Sequence, residues 1–307
     1  MVRDEGCVKG QPRSVRFHAS RIKQSRHMGY VDFILNLAGL LLWLNWRSDR
    51  FDPLMKRLPA TLMGTLRPAT PKKLRPWHLL VFITGLLLLR AVIYWWLGSA
   101  ATQIWVGQLD LGVTRLPFRS DWFVRILVFS FFSFGLTLGV FYACLLPLSL
   151  LAGPQPVHGL VKIPLGRVDG WPRWAKIILP FAVTAVCWWL ASWLLGRLQI
   201  VPPATLAYRF QQSLIIAAGS WLLWKFPLGA ILLLHLLNSY IYFGRHPVWN
   251  YVNATAQKIL LPLKKIPLRS GRVDFAPVLA LAVLFFAAEL AGRGLNLLYA
   301  RLARLPF

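Results

Sequence analysis

Residues 77–98 read W-H-L-L-V-F-I-T-G-L-L-L-L-R-A-V-I-Y-W-W-L-G, twenty-two residues with one charge, Arg90. A helix of that length reaches roughly 33 Å at about 1.5 Å per residue, enough to cross a hydrocarbon core of about 30 Å. The stretch is apolar on every side, which a surface helix of a soluble protein is not. It therefore predicts a transmembrane helix. The same test finds residues 122–151, 177–196, 213–243 and 275–298. A sixth stretch, 31–46, is shorter and carries Asp32, Asn36 and Asn45, so a tilted span, a re-entrant element and an interfacial helix all stay open for it. The expected fold class is an all-α polytopic membrane protein with about six transmembrane segments.

Composition points the same way. Of 307 residues 57% are hydrophobic and only 15% charged, yet 35 Lys and Arg face 10 Asp and Glu, for a formal +25 and a mean hydropathy of +0.54. A soluble nucleic-acid binder carries such a charge on a surface much richer in charged residues. A membrane protein resolves the conflict: lipid takes the apolar residues and the cations collect in loops. Disorder is excluded by fifteen Trp and nineteen Phe. Cys7, Cys144 and Cys187 show no pairing or metal-site spacing and read as small apolar residues. The polar, basic start of the chain, without a small-residue cleavage pattern, does not read as a secretory signal.

Loop charge alternates. Residues 47–75 come to +6, 99–121 to zero, 152–176 to +3, 197–212 to +2 and 244–274 to +5. By the positive-inside rule the three basic loops lie in the cytoplasm, as expected of a multi-pass protein of the bacterial inner membrane. One term conflicts: residues 1–30 also carry +5, and six crossings put them on the other side. The long runs contain Gly135, Gly139 and Pro147, and Lys225, Pro227 and Gly229, which predict kinks or an interfacial lead-in from which Lys225 snorkels.

Two basic loops share a signature, K-I-P-L-G-R-V-D-G-W from Lys162 to Trp171 and K-I-P-L-R-S-G-R-V-D-F from Lys265 to Phe275. Each leads into an apolar segment, which reads as duplication of a helical hairpin, with a degenerate third copy around Asp52-Pro53 and Arg75-Pro76-Trp77. The predicted organisation is a basic N-terminal arm (1–30), a degenerate hairpin (31–98) and two hairpin repeats (120–197 and 208–300), joined by basic, Pro-rich linkers. Pro262 and Pro267 predict an extended linker, Gly271 a tight turn, and Asp169 and Asp274 N-caps of the helices that follow.

The second copy, Leu261-Pro262-Leu263-Lys264-Lys265-Ile266-Pro267, then Gly271, then Asp274-Phe275-Ala276-Pro277-Val278, resembles the YggT/YlmG family of small membrane proteins. The likeness is clearest over residues 228–295. The chain departs from the family's pattern near the end of the first span, where Asn238-Ser239-Tyr240 stands, and is longer than family members usually are. The resemblance implies tandem membrane hairpins and a non-enzymatic role. Relatives are associated with osmotic-stress tolerance, cell division, nucleoid or thylakoid organisation, and assembly of membrane complexes, and one chloroplast branch with haem attachment.

Convergent catalytic groups and nucleophile or metal motifs are not legible, so the chain reads as a non-enzyme without a metal. Intramembrane polar residues are functional candidates by default: Arg90, Lys225, His235, Glu289 and Arg293. Glu289 and Arg293 are four apart and share a helix face, and Arg90 either snorkels or pairs with Glu289. An ion or solute path through Glu289 and Arg90 is the alternative function. Haem held by His235 and His78 is a third, the only cofactor in view. For the basic loops, plain topology signal, anionic lipid and an acidic protein partner compete, nucleic acid being the weakest. The residues for lipid or partner contact are Arg75, Trp77, Lys162, Arg167, Trp171, Arg173, Arg245, Trp249, Lys264, Lys265, Arg269 and Arg272. Glycine pairs 135/139 and 292/294 offer close-contact surfaces to other membrane proteins. The expected function is an accessory or assembly subunit packed against lipid and other membrane proteins.

Overall fold

A computed structural model describes residues 29–47, 76–100, 106–151, 164–202, 204–241, 247–265, 269–270 and 273–302. Its helices are α1 (Gly29–Arg47), α2 (Pro76–Ala100), α3 (Phe123–Leu151), α4 (Arg173–Arg197), α5 (Leu206–Leu222), α6 (Lys225–Tyr240), α7 (Pro247–Leu260) and α8 (Ala276–Leu302). Six segments are long and apolar enough to cross a membrane: α1, α2, α3, α4, α5 with α6, and α8. The protein is an α-helical multi-pass membrane protein.

Cross-contacts sort the connections onto two sides. Arg47 Nε at the end of α1 donates to the Pro164 carbonyl (3.2 Å), and Lys258 Nζ of α7 donates to the Leu151 carbonyl at the end of α3 (2.8 Å). The three basic connections thus meet at one end of the bundle, the basic side. At the other end Arg125 Nε of α3 donates to the Leu198 carbonyl after α4 (3.0 Å). Within the bundle α1 runs antiparallel to α2: Asp32 meets Arg90, while Leu42 and Trp43 pack near Ile83 and Leu87. Gly29 therefore enters opposite the basic connections. The charged N-terminal arm itself lies outside the described residues.

Between α2 and α3 the sequence gives only a connecting loop of zero net charge. The structure has an antiparallel hairpin there, β1 (Val106–Asp110) paired with β2 (Arg115–Arg119), Val106 opposite Arg119 and Asp110 opposite Arg115. Alternation explains it: Leu109, Leu116 and Phe118 turn one face into the largest apolar core, beside Ile126 and Phe129 of α3, Trp188 and Leu195 of α4 and Ile216 of α5. The hairpin is thus inserted among helices. Its tip turns at Gly112, whose φ of 81° favours glycine, and places Val113 against Gly219 of α5. Such non-helical backbone belongs at membrane depth only inside protein or along a cavity. Both apply here.

Two linker expectations need correction. The 244–274 linker is not extended throughout. It holds α7, with Tyr251, Val252, Thr255, Ala256 and Leu260 buried on one stripe, docked on Ile231 and Leu232 of α6 and Ala276 and Ala280 of α8. Burial also raises the pKa of the Tyr251 phenol, on this helix outside the spans. Secondly, Asp169 is not an N-cap: Pro172 precedes α4 without a side-chain cap. Asp274 closes a short hairpin, β3 (Arg269–Ser270) with β4 (Val273–Asp274). The first copy of the signature instead forms a 3-10 turn, Gly166–Gly170. The two-residue insertion in the second copy accompanies a different local fold.

The proline and glycine signals act unequally. α3 runs unbroken through the buried Pro147, and α4 through Pro180. The 206–240 segment does break, ahead of Pro227: the Leu223 and Trp224 amides reach back to the Ser220 and Trp221 carbonyls, and α6 starts at Lys225.

Candidate functional site

Three polar constellations stand out in an otherwise apolar bundle. The first joins α1, α2 and α3. Arg90, with its side chain fully buried, donates from Nη2 to Asp32 Oδ1 (2.5 Å) and from Nη1 to Asn36 Oδ1 (2.8 Å). Tyr94 donates its hydroxyl to Asp32 (2.7 Å), Asn36 donates to Ser133 Oγ (3.0 Å), and the guanidinium lies over the Tyr94 and Phe129 rings at 5.6 and 5.3 Å. Positions 32 and 36 share one helix face, as do 90 and 94. Arg90 therefore neither snorkels nor pairs with Glu289. Its partner is Asp32, and two of the polar residues that made α1 a poor span in the sequence, Asp32 and Asn36, are consumed in docking it.

The second constellation fastens the signature loop. Lys176 Nζ donates to Ser149 Oγ (2.8 Å), Ser149 donates to Asp169 Oδ1 (2.6 Å), and the ammonium lies 3.7 Å from Asp169. The Lys176 and Asp169 side chains are 8% and 10% exposed, so this is a buried ion pair tying the 3-10 turn to the end of α3 and the start of α4. It is structural.

The third is a cavity of about 810 Å³ between α3, α4, α5 and α8, with the hairpin tip (Asp110 to Val113) at one end and Trp43, Arg47, Leu165 and Val168 near the basic side. Glycines make the space. A Cβ on Gly135 or Gly139 of α3 meets nothing within 4 Å, although alanine there favours a helix by about 1 kcal/mol. These glycines line the cavity instead of packing a neighbour. Gly292 of α8 lines it too, one turn from Ala288 and Asn296.

Three of the predicted intramembrane polar residues face this cavity: Lys225, Glu289 and Arg293. Arg293 Nε donates to Glu289 Oε1 (2.9 Å), the i,i+4 pair expected, with both side chains more than half exposed. Halfway along a spanning helix, such exposure to lipid is costly; facing a cavity relieves it. Lys225 opens α6 at the helix break. Ser220, just before the break, also lines the cavity; it is 7% exposed and its Oγ has no hydrogen-bond partner among the described residues. Neither the cavity nor Ser220 was legible in the sequence; the break itself was signalled by Pro227 and Gly229.

The remaining candidates are scattered. His235 Nδ1 lies 2.8 Å from Asn253 Oδ1, which also accepts from Asn238 (3.3 Å), so it pins α6 to α7. His78 is exposed on α2, and among the described residues no three His, Cys, Asp or Glu side chains gather to hold a metal. Trp77, Arg167, Trp171 and Arg173 are exposed at the basic side, and Trp249 is half-buried. Lys264 and Lys265 end a 3-10 turn and Arg269 opens β3. Arg75, Lys162, Arg245 and Arg272 lie outside the described residues.

Fold and site together define a multi-pass α-helical membrane protein with a large, partly open cavity among its helices. No family model matches the chain, and no curated protein or solved structure is significantly similar to it.

Proposed function

We propose that this protein is a non-catalytic membrane component whose working part is the cavity, where it holds a membrane-soluble guest. One observation carries the reading: three charged side chains of the spanning helices, Lys225, Glu289 and Arg293, converge on a glycine-lined cavity. Ligand cavities typically measure about 300–1,000 Å³ and are mostly apolar with a few placed polar groups. Partner proteins and bulk lipid then meet the outer apolar faces. The loop charges support a basic side that faces the cytoplasm of a bacterial inner membrane, where Trp77, Trp171, Trp174 and their neighbouring cations suit anionic headgroups. The resemblance of the second signature loop to the YggT/YlmG family supports an accessory role in a larger assembly.

A passage for solutes is the second reading, favoured by the discontinuous α5–α6 segment, since broken helices commonly bracket transporter sites. Native mass spectrometry of the chain released from mild detergent tests the first reading. A single lipid-sized adduct is expected, absent from the Gly135→Leu/Gly139→Leu variant. Equal adducts on both proteins count against the cavity.

A further inference from the structure

The cavity's polar groups are not evenly satisfied. Of its two acids, Asp110 bonds Arg115 (3.1 Å) and the Gly112 amide (2.8 Å), and Glu289 is held by Arg293. Both carboxylates are therefore answered by cations. Lys225 is different. Among the described residues it meets only the ring of Phe226, 5.2 Å from Nζ, with no carboxylate and no hydrogen-bond acceptor. An ammonium in an apolar wall without a counter-charge is expensive, so an anion brought to it is bound strongly. Ser220 supplies a second, independent mark: a hydroxyl nine-tenths buried, lining the same cavity and without a partner, in a helix where serine ordinarily bonds a carbonyl one turn back.

The surroundings fix where the rest of the guest goes. Trp221, beside Ser220, stacks on Phe181 and donates to the Ile177 carbonyl (3.0 Å), which sets this wall near the start of α4, toward the basic side. Arg47, also lining the cavity, is fixed at that end through Pro164. Along α3 and α4 the remaining wall is apolar, with Gly135, Gly139, Val183 and Ile216 leading to the hairpin tip, while α8 and the tip contribute the paired Glu289–Arg293 and Asp110 and the amide of Asn296. An unpaired cation toward the basic side and an apolar wall leading inward match a molecule with an acidic head and a hydrocarbon tail.

We infer that the guest is an acidic amphiphile, a carboxylate- or phosphate-headed lipid, whose acid accepts from Lys225 Nζ and, once the buried hydroxyl rotates out of the wall, from Ser220 Oγ, while its chain lies along the glycine-lined wall of α3. This rests on the cavity reading above and names its ligand class. Lys225 sets selectivity by charge, Ser220 adds a directed hydrogen bond, and Gly139 sets the room for the chain.

The test uses the full chain in mild detergent and two fluorescent probes with the same hydrocarbon chain, one a fatty acid and one the matching fatty alcohol, with inorganic phosphate as competitor. The intact protein binds the acid at least tenfold more tightly than the alcohol, and millimolar phosphate does not displace it. Lys225→Gln lowers acid affinity about tenfold and leaves alcohol binding unchanged, which also reports that the variant is folded. Lys225→Arg restores the preference, Ser220→Ala weakens the acid several-fold, and Gly139→Leu reduces both probes. Equal binding of acid and alcohol, or an unchanged preference in Lys225→Gln, overturns the acidic-guest inference and leaves the cavity reading standing. Binding of neither probe overturns both. Displacement of the acid by free phosphate overturns the amphiphile, because the head alone is then recognised.

Discussion

Removing Asp32 should detach α1 from the bundle. Arg90 is completely buried and keeps two hydrogen-bond acceptors, Asp32 and Asn36, and the faces of two aromatic rings. Its Nε already has no acceptor among the described residues, so the guanidinium has none to spare. Asp32→Ala takes away its only carboxylate among the described residues and also the acceptor of the Tyr94 hydroxyl. Breaking a buried pair by deleting one partner typically costs about 3–5 kcal/mol, because the other charge is left uncompensated. For a chain of this size that corresponds to a fall in melting temperature on the order of 10 °C. The double variant Asp32→Ala/Arg90→Met removes the stranded cation along with its partner and should recover at least half of the loss. Tryptophan fluorescence during thermal unfolding in detergent reads both values. Melting of Asp32→Ala at the wild-type temperature, or no recovery in the double variant, would refute the buried-pair account of how α1 is held.

Asp169→Asn strands Lys176 in the same way beside Ser149 and should destabilise by about 3 kcal/mol, with Lys176→Met/Asp169→Asn recovering part of it in the same assay. Gly39→Ala places a methyl 2.7 Å from the buried Phe134 ring and should cost roughly 1–3 kcal/mol. Gly229→Ala meets Phe285 at 2.8 Å, but that ring is 43% exposed and can turn outward, so its melting temperature should stay near wild type. With the native cysteines replaced, single cysteines at Tyr30 and Gly170 should label with an impermeant maleimide from opposite sides of sealed vesicles; labelling from the same side contradicts a spanning α1.

The spans were legible because a bilayer imposes length and apolarity on any segment that crosses it, and the Glu289–Arg293 pair because helix spacing alone brings it together. What failed shares a cause. Asp32 lies 58 residues from Arg90, and no local period links them, so Arg90 read as a residue that snorkels or pairs with Glu289. The glycines read as contact surfaces because a small residue looks the same whether a neighbour fills its space or leaves it open; only the surrounding helices tell which. Asp169 looked like a cap by its distance from the next helix, whereas a lysine two turns on and a serine twenty residues back claim it. The β1–β2 hairpin did carry a signal, apolar residues alternating with polar ones over Val106–Asp110 and Arg115–Arg119, masked by long helical runs on both sides. Likewise the 3.6-residue stripe of α7 is short and is followed at once by helix-breaking prolines, which mask it.

An experimental density map of the protein in a lipid nanodisc tests the central claim most directly. The account predicts elongated non-protein density between α3 and α8, its head against Lys225 and Ser220 and its tail beside Gly135 and Gly139 under the hairpin tip. A collapsed cavity with α8 packed onto α3, or the same space taken by a helix of another chain, would contradict it.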